Sequence, residues 1–337
     1  MKSTRTQGGQ LPLVLFLVFI SFVLIIVFTS FGSVKIDAKD VFLSLIGRQE
    51  NQIYKNLILN IRLPRVIGTF LVGAILAVSG NVLQLLVQNP LADPYMLGIS
   101  SGASFGAVLY TALNSIYGFT LFLGLEGFSF LFAVLSTFIV LLIARQGKRL
   151  PILSLILSGV IVSFLFNSFT TLFTVMYWKN LIHVNLWLMG STGNLAWNSN
   201  LKLLTILLVQ FFIALLFSKE LNVLAMGEEM AVYSGLNPES VKMLLILTTV
   251  LAVSFTVSQV GIIGFVGLII PHIVRMIKGP YSFISNLYSV FFGGIFLMFA
   301  DFIARTLFAP TELPIGVVTS IVGAPIFIYV MRRKERL

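Results

Sequence analysis

The chain contains no cysteine among its 337 residues. A disulfide, a thiolate metal site and a thiol nucleophile are therefore excluded. Its two histidines, His183 and His272, are far apart and make no ligand cluster, so no metal and no cofactor is expected. The ten methionines are scattered along apolar runs and form no relay. Charge is scarce at 10% of residues, with only 12 acidic side chains. No G-x-x-x-x-G-K-[ST] loop occurs: Gly147-Lys148 is followed by Arg149, without a phosphate-cradling loop before it. ATP hydrolysis by that route is excluded. No Ser/His/Asp set, aspartate pair or H-E-x-x-H lies in the apolar runs, which argues against an intramembrane enzyme.

What is present is apolar surface. With 58% hydrophobic residues and a mean hydropathy of +1.01, the chain cannot hide its apolar side chains in a soluble core. The fold class is all-α, a polytopic membrane protein whose surroundings are lipid. The net charge of +10 does not indicate nucleic acid, because the cations sit mainly in short loops and at the termini.

Ten spans are predicted within one transmembrane domain, 1–337. The first, 11–31, follows Lys2 and Arg5 and is longer than a signal-peptide core; residues 30–33 weakly imitate a cleavage site, and a retained helix is the simpler reading. The loop 32–56 carries a short interfacial helix at 38–46. Spans two and three occupy the stretch 62–106, around which the chain is organised. Pro64 suits a helix's first turn, and Asp93-Pro94 suits a second start after the break at Asn89-Pro90. Asn81, Gln84 and Gln88 share one helical face, which should avoid lipid. Gly98, Gly102 and Gly106, four residues apart, offer a close-packing surface.

Later spans are predicted at 120–144, 151–176, 201–217, 241–258, 261–278, 283–307 and 315–331, the eighth interrupted by glycines and Pro271. Trp178, Trp187 and Trp197 suit an interface. Along the fifth span, Ser163, Asn167, Thr170 and Thr174 form a polar stripe that either bonds helices together or lines a pathway. The polar segment 218–240 should be exposed between spans. Ten spans put both termini on one side. If that side is the cytoplasm, 13 of the 22 Lys and Arg lie there and 9 outside, six of them between Lys35 and Arg65.

Four motifs recur in order: RLPRVIGTFLVGAILAVSGNVLQLLVQNPLADPYMLGISSGASFG from Arg62, GFVGLIIPHIVR from Gly264, ADFIART from Ala300 and ELPIGVVTSIVGAPIFIYVMRR from Glu312. Together they resemble the permease subunits of bacterial ABC importers for iron-siderophores, haem and vitamin B12. The resemblance implies a cytoplasmic-membrane permease that works with a second permease subunit, identical or paralogous, two cytoplasmic ATPase subunits and an extracytoplasmic substrate-binding (lipo)protein. A ferric siderophore is the expected cargo, with haem and cobalamin as alternatives.

By the same resemblance, Arg62, Arg65 and Arg305 face outward to glutamates of the binding protein; the alternative is anchoring to lipid headgroups. Asp301, four residues before Arg305, could pair with it, which weakens the rival reading of an ion-driven secondary transporter. The segment 221–238 is implied to contact the ATPase as two short helices, with Gly227, Ala231 and Gly235 as a small face flanked by Glu228 and Glu229; the alternative is a solvated loop. The stripe on span five and Gly316, Ser320 and Gly323 on span ten are the pathway-lining candidates.

Overall fold

A computed structural model describes residues 11–32, 36–118, 122–177, 181–279 and 281–334. Lys2, Arg5, Lys35, Thr120 and Trp178 of the sequence reading lie outside the described residues, as does the side chain of His183.

Apolar length decides the main elements. Among the described residues, seven helices are long and apolar enough to cross a bilayer. They are α1 (Leu11–Ser30), the rod that ends in α4 (Leu63–Leu86), α6 (Gly124–Ala144), α7 (Ile152–Met176), α9 (Trp197–Leu216), α12 (Pro238–Val260) and α14 (Ser282–Thr306). α5 (Ile99–Tyr117), α13 (Val266–Lys278) and α15 (Ile315–Lys334) are less apolar or shorter. Small helices decorate the two ends. α2 (Ala38–Leu45), α3 (Gln52–Asn56) and α8 (Ile182–Leu188) lie at one, α10 (Ser218–Leu224) and α11 (Glu228–Tyr233) at the other.

α4 is the axis of the bundle, buried along nearly its whole length and flanked by α14, α13, α9 and α12. Its glycines make that possible. A Cβ on Gly73 would meet the Gly293 carbonyl of α14, and one on Gly80 the Gly267 carbonyl of α13. Without a hydrophobic driving force between helices in lipid, such close backbone approach supplies the packing energy.

One boundary differs from expectation. The second span does not begin at Pro64: the helix starts at Gln52, capped by Asn51, and passes through a π-helical turn at Leu57–Arg62 before Pro64. The widened turn accommodates a proline ring that would otherwise clash with the preceding turn. The eighth span is interrupted as expected, at its glycines, while Pro271 lies inside the helix. α13 has 13 residues, about 20 Å of rise against a core of about 30 Å, and the chain from Gly261 to Phe265 is unwound.

The break after span two is as expected. Asp93 caps a short 3-10 turn, Pro94–Leu97, by accepting from the Tyr95 amide at 2.8 Å. α5 itself starts only after Gly98, whose φ of +81° is a left-handed conformation that side chains resist. Gly98 is thus the corner, while Gly102 and Gly106 lie against the Phe132 and Phe128 carbonyls of α6.

Candidate functional site

The end of α1 leaves carbonyls with no helical partner, and cations suit such an end. Arg62 Nη1 donates to the Thr29 and Ser30 carbonyls at 3.3 and 3.0 Å. Arg305 donates to the Phe28 and Phe31 carbonyls at 2.7 and 2.9 Å. Both arginines are buried, 6% and 4% exposed. Arg65 lies between two carboxylates, Asp301 at 2.9 Å and Glu312 at 2.9 Å. The Asp301–Arg305 pair expected from their spacing is present at 3.2 Å.

None of the three guanidiniums stands free: Arg62 and Arg305 are buried against carbonyls of α1, and Arg65, 12% exposed, lies between its two carboxylates. Open carbonyls and a buried carboxylate hold them inward. Glu312, half-exposed, is the outermost member of the cluster. Sequence reading missed it, because only the fold brings a residue 247 positions from Arg65 beside it.

Asn81 and Gln84 of the expected amide face are buried on α4, whereas Gln88 lies beyond the helix end at Leu86, exposed and at a φ of +52°. Asn81 Nδ2 donates to Ser285 Oγ and Asn286 Oδ1, and Gln84 Nε2 to the Gly267 and Leu268 carbonyls. Arg275 donates to Asn81 Oδ1 at 2.6 Å and also to Gln84 Oε1. Gln88 reaches the Leu224 carbonyl of α10 at 2.9 Å. This network joins α4, α13 and α14; His272 of the PHIVR run is buried and Arg275 half-buried.

The unwound residues 261–265 form a crossing point. Tyr95 Oη donates to the Ile263 carbonyl at 3.1 Å, while a Cβ on Gly316 would meet the Met189 carbonyl and one on Gly323 the Phe265 side chain. A cavity of about 410 Å³ opens there, lined by Met189, Ile262, Gly264, Gly316, Ser320 and Ile321. Two of the three span-ten candidates therefore share a cavity, and Gly323 packs beside it.

Among the described residues, the stripe on α7 makes no hydrogen bond to another helix. Thr170 and Thr174 return their hydroxyl protons to the Phe166 and Thr170 carbonyls of their own helix, Asn167 is exposed, and Ser163 is half-buried. Most of α7 is uncovered: only Leu155, Ser158, Gly159, Val162 and Phe166 are buried. The stripe and the span-ten cavity are not brought into contact within one chain.

At the other end, the expected pair of short helices is present as α10 and α11. The small face is not. α11 covers only Glu228–Tyr233, so Gly227 and Gly235 stand outside it, at φ of +127° and +77°, and act as its corners. Ala231 is fully buried. The exposed side chains are Met226, Met230, Val232 and Tyr233, the last 86% exposed, together with Glu229. Glu228 instead pairs with the buried Lys242 at 3.0 Å.

A model of the FecCD transport family matches residues 15–333. The chain is 38% identical to the cobalamin import system permease protein of Halobacterium salinarum over 275 residues, 82% of this chain and 73% of that one. It is 32% identical to the Fe(3+)-citrate import system permease protein of Bacillus subtilis over 340 residues, 99% of each. Its structure is similar to an inward-facing conformation of a metal-chelate type ABC transporter, with a TM-score of 0.84 and 29% identity over 96% of this chain and 99% of the other. The protein belongs to the FecCD transport family and is a multi-pass membrane permease subunit of an ABC transporter, not its ATPase.

Proposed function

We propose that the chain is one half of the transmembrane pathway of an ATP-driven importer for a ferric siderophore, with ten crossings and both termini cytoplasmic. A second permease subunit completes the pathway, two ATPase subunits bind the α10–α11 end, and a binding protein delivers cargo at the Arg65–Glu312 end. The unwound segment 261–265, with its cavity at Gly316 and Ser320, is the observation that carries this reading. Non-helical backbone at membrane depth is tolerated only where protein buries it or a water-filled cavity is lined by it.

The uncovered face of α7 supports a second subunit there, with Ser163, Asn167, Thr170 and Thr174 turned toward the shared path. Its small polar groups suit a bulky chelate better than a bare ion. Docking at the outer end falls to Arg65, whose charge Glu312 partly screens, with Arg62 and Arg305 fixing the surface beneath it. At the inner end, Glu229 and the apolar side chains of α11 meet the ATPase, and Gly227, Ala231 and Gly235 set the shape of that turn. Asp301 is held by two arginines and Thr192, an arrangement unsuited to a coupling-ion site.

The test is uptake in a strain lacking the chain, offered labelled ferric siderophores, haem and cobalamin. Restored siderophore uptake that requires the copurifying ATPase is expected. Cobalamin is the second reading, favoured by the 38% identical relative; cobalamin uptake alone would overturn the siderophore assignment. Uptake abolished by ionophores at constant ATP would overturn the ABC mechanism.

A further inference from the structure

The α10–α11 end carries a feature that substrate passage does not use. Between the α6–α7 turn and the start of α12 lies a cleft of about 680 Å³, lined by Arg145, Lys148, Arg149, Ser240, Leu244 and Leu247 among others. Its three cations are exposed. The one carboxylate in the lining, Glu239, is already engaged, by Lys242 at 2.8 Å and by the Leu150 amide at 2.8 Å. Arg145 spends its Nε on the Gly147 carbonyl, and none of the three cations forms an ion pair with a described residue. The mouth is therefore an uncompensated positive site.

The floor is apolar and continues. Leu244, Leu247 and Leu251, spaced three and four apart, form an exposed line along α12, 38%, 44% and 49% exposed. That line leads into a second groove, of about 320 Å³, walled by Phe130, Val209, Leu251, Ala252 and Phe255. From Leu244 to Phe255 the helix rises about 16 Å. One leaflet of the hydrocarbon core is about 15 Å thick. A cationic mouth followed by an apolar channel one leaflet long has the layout of a lipid, headgroup first.

We propose that this face binds an anionic membrane phospholipid, its phosphate at Arg145, Lys148 and Arg149 and one acyl chain along Leu244, Leu247 and Leu251. Free phosphate would account for the mouth and leave the groove unexplained. A soluble partner would cover the mouth and could not follow the groove to membrane depth. The site is independent of which cargo the permease carries.

The test is native mass spectrometry of the full-length chain, titrated with phosphatidylglycerol and with phosphatidylcholine of the same acyl chains. Phosphatidylglycerol should bind at least about tenfold more tightly, as basic pockets near the membrane surface favour anionic lipid. Replacing all three cations, Arg145→Gln, Lys148→Gln and Arg149→Gln, should erase the preference, weakening phosphatidylglycerol far more than phosphatidylcholine. These side chains are exposed, so the fold is not at stake. Val209→Trp, on the exposed wall of the groove, should weaken both lipids. Equal binding of the two lipids by the unaltered chain, displacement of phosphatidylglycerol by millimolar inorganic phosphate, or no effect of Val209→Trp would each overturn the proposal. Loss of the bound lipid on adding the ATPase would assign the face to that partner and overturn it as well.

Discussion

Arg65 Nε and Nη2 both donate to Asp301 Oδ1, at 3.0 and 2.9 Å, tying α4 to α14 across 236 residues of sequence. The carboxylate is 1% exposed and also meets Arg305 at 3.2 Å and the Thr192 hydroxyl at 2.7 Å. One buried anion thus meets two arginines, the buried Arg305 and the partly buried Arg65.

Asp301→Asn should therefore be strongly destabilising. Removing one partner of a buried pair typically costs about 3–5 kcal/mol, because the remaining charge is left uncompensated. Thermal unfolding of the detergent-solubilised chain measures it. Adding Arg305→Met to Asp301→Asn should recover part of the loss. An unchanged melt for the single variant would refute the lock.

Glu312 behaves differently because its side chain is 50% exposed. Glu312→Gln should change folding stability by about 1 kcal/mol or less, as exposed ion pairs do. It also frees the outer side of Arg65, so association with the binding protein should quicken several-fold at low salt, whereas Arg65→Gln should slow it. Stopped-flow association at two ionic strengths reads both. Equal rates for the two variants would sink the docking role of Arg65.

Tyr233 is 86% exposed on α11, so Tyr233→Ala should leave the melt within about 0.5 kcal/mol of the parent. Uptake and substrate-stimulated ATP hydrolysis by the assembled transporter should nevertheless fall. Ala231→Trp is the contrast: it overpacks a buried position and should cost about 1–3 kcal/mol of stability. Full coupling in Tyr233→Ala would remove α11 from the ATPase interface.

Gly80→Ala should loosen the α4–α13 contact, since the added Cβ would meet the Gly267 carbonyl rather than a movable side chain. A loss of about 1–3 kcal/mol is expected. Gly264→Ala, with open space around it and no left-handed φ, should cost less. Melting of the two variants side by side decides it.

The absence of native cysteine makes single-cysteine labelling clean. Asn167→Cys on α7 should react with a membrane-impermeant maleimide if the stripe lines an aqueous path. Leu208→Cys, exposed on α9, should stay unlabelled if that surface faces lipid. Equal labelling of both would reject the stripe as pathway lining.

Much of the architecture is legible in the sequence, because the long apolar runs, the Asp93-Pro94 cap and the Asn81–Gln84 pair on α4 are local patterns. The Asp301–Arg305 pair was legible for the same reason, being one helical turn apart. The start of the second span was not: Pro64 looks like a first-turn proline unless a widened turn before it absorbs the ring. The regular spacing of Gly227, Ala231 and Gly235 misled, because a period of four implies a face only where the helix lasts, and α11 is six residues long.

By itself the sequence determined that this chain lives in a bilayer, that it carries no nucleotide-binding loop, and, through its four motifs, which family it belongs to. Composition and contiguous motifs are properties of the chain alone. Only the tertiary structure decided where the arginines point. Arg62 and Arg305 are claimed by the open carbonyls of α1, and Arg65 by Asp301 and Glu312, partners as much as 277 residues away. The cost of leaving buried carbonyls and carboxylates unpaired sets those side-chain directions, and it exists only once the helices are packed.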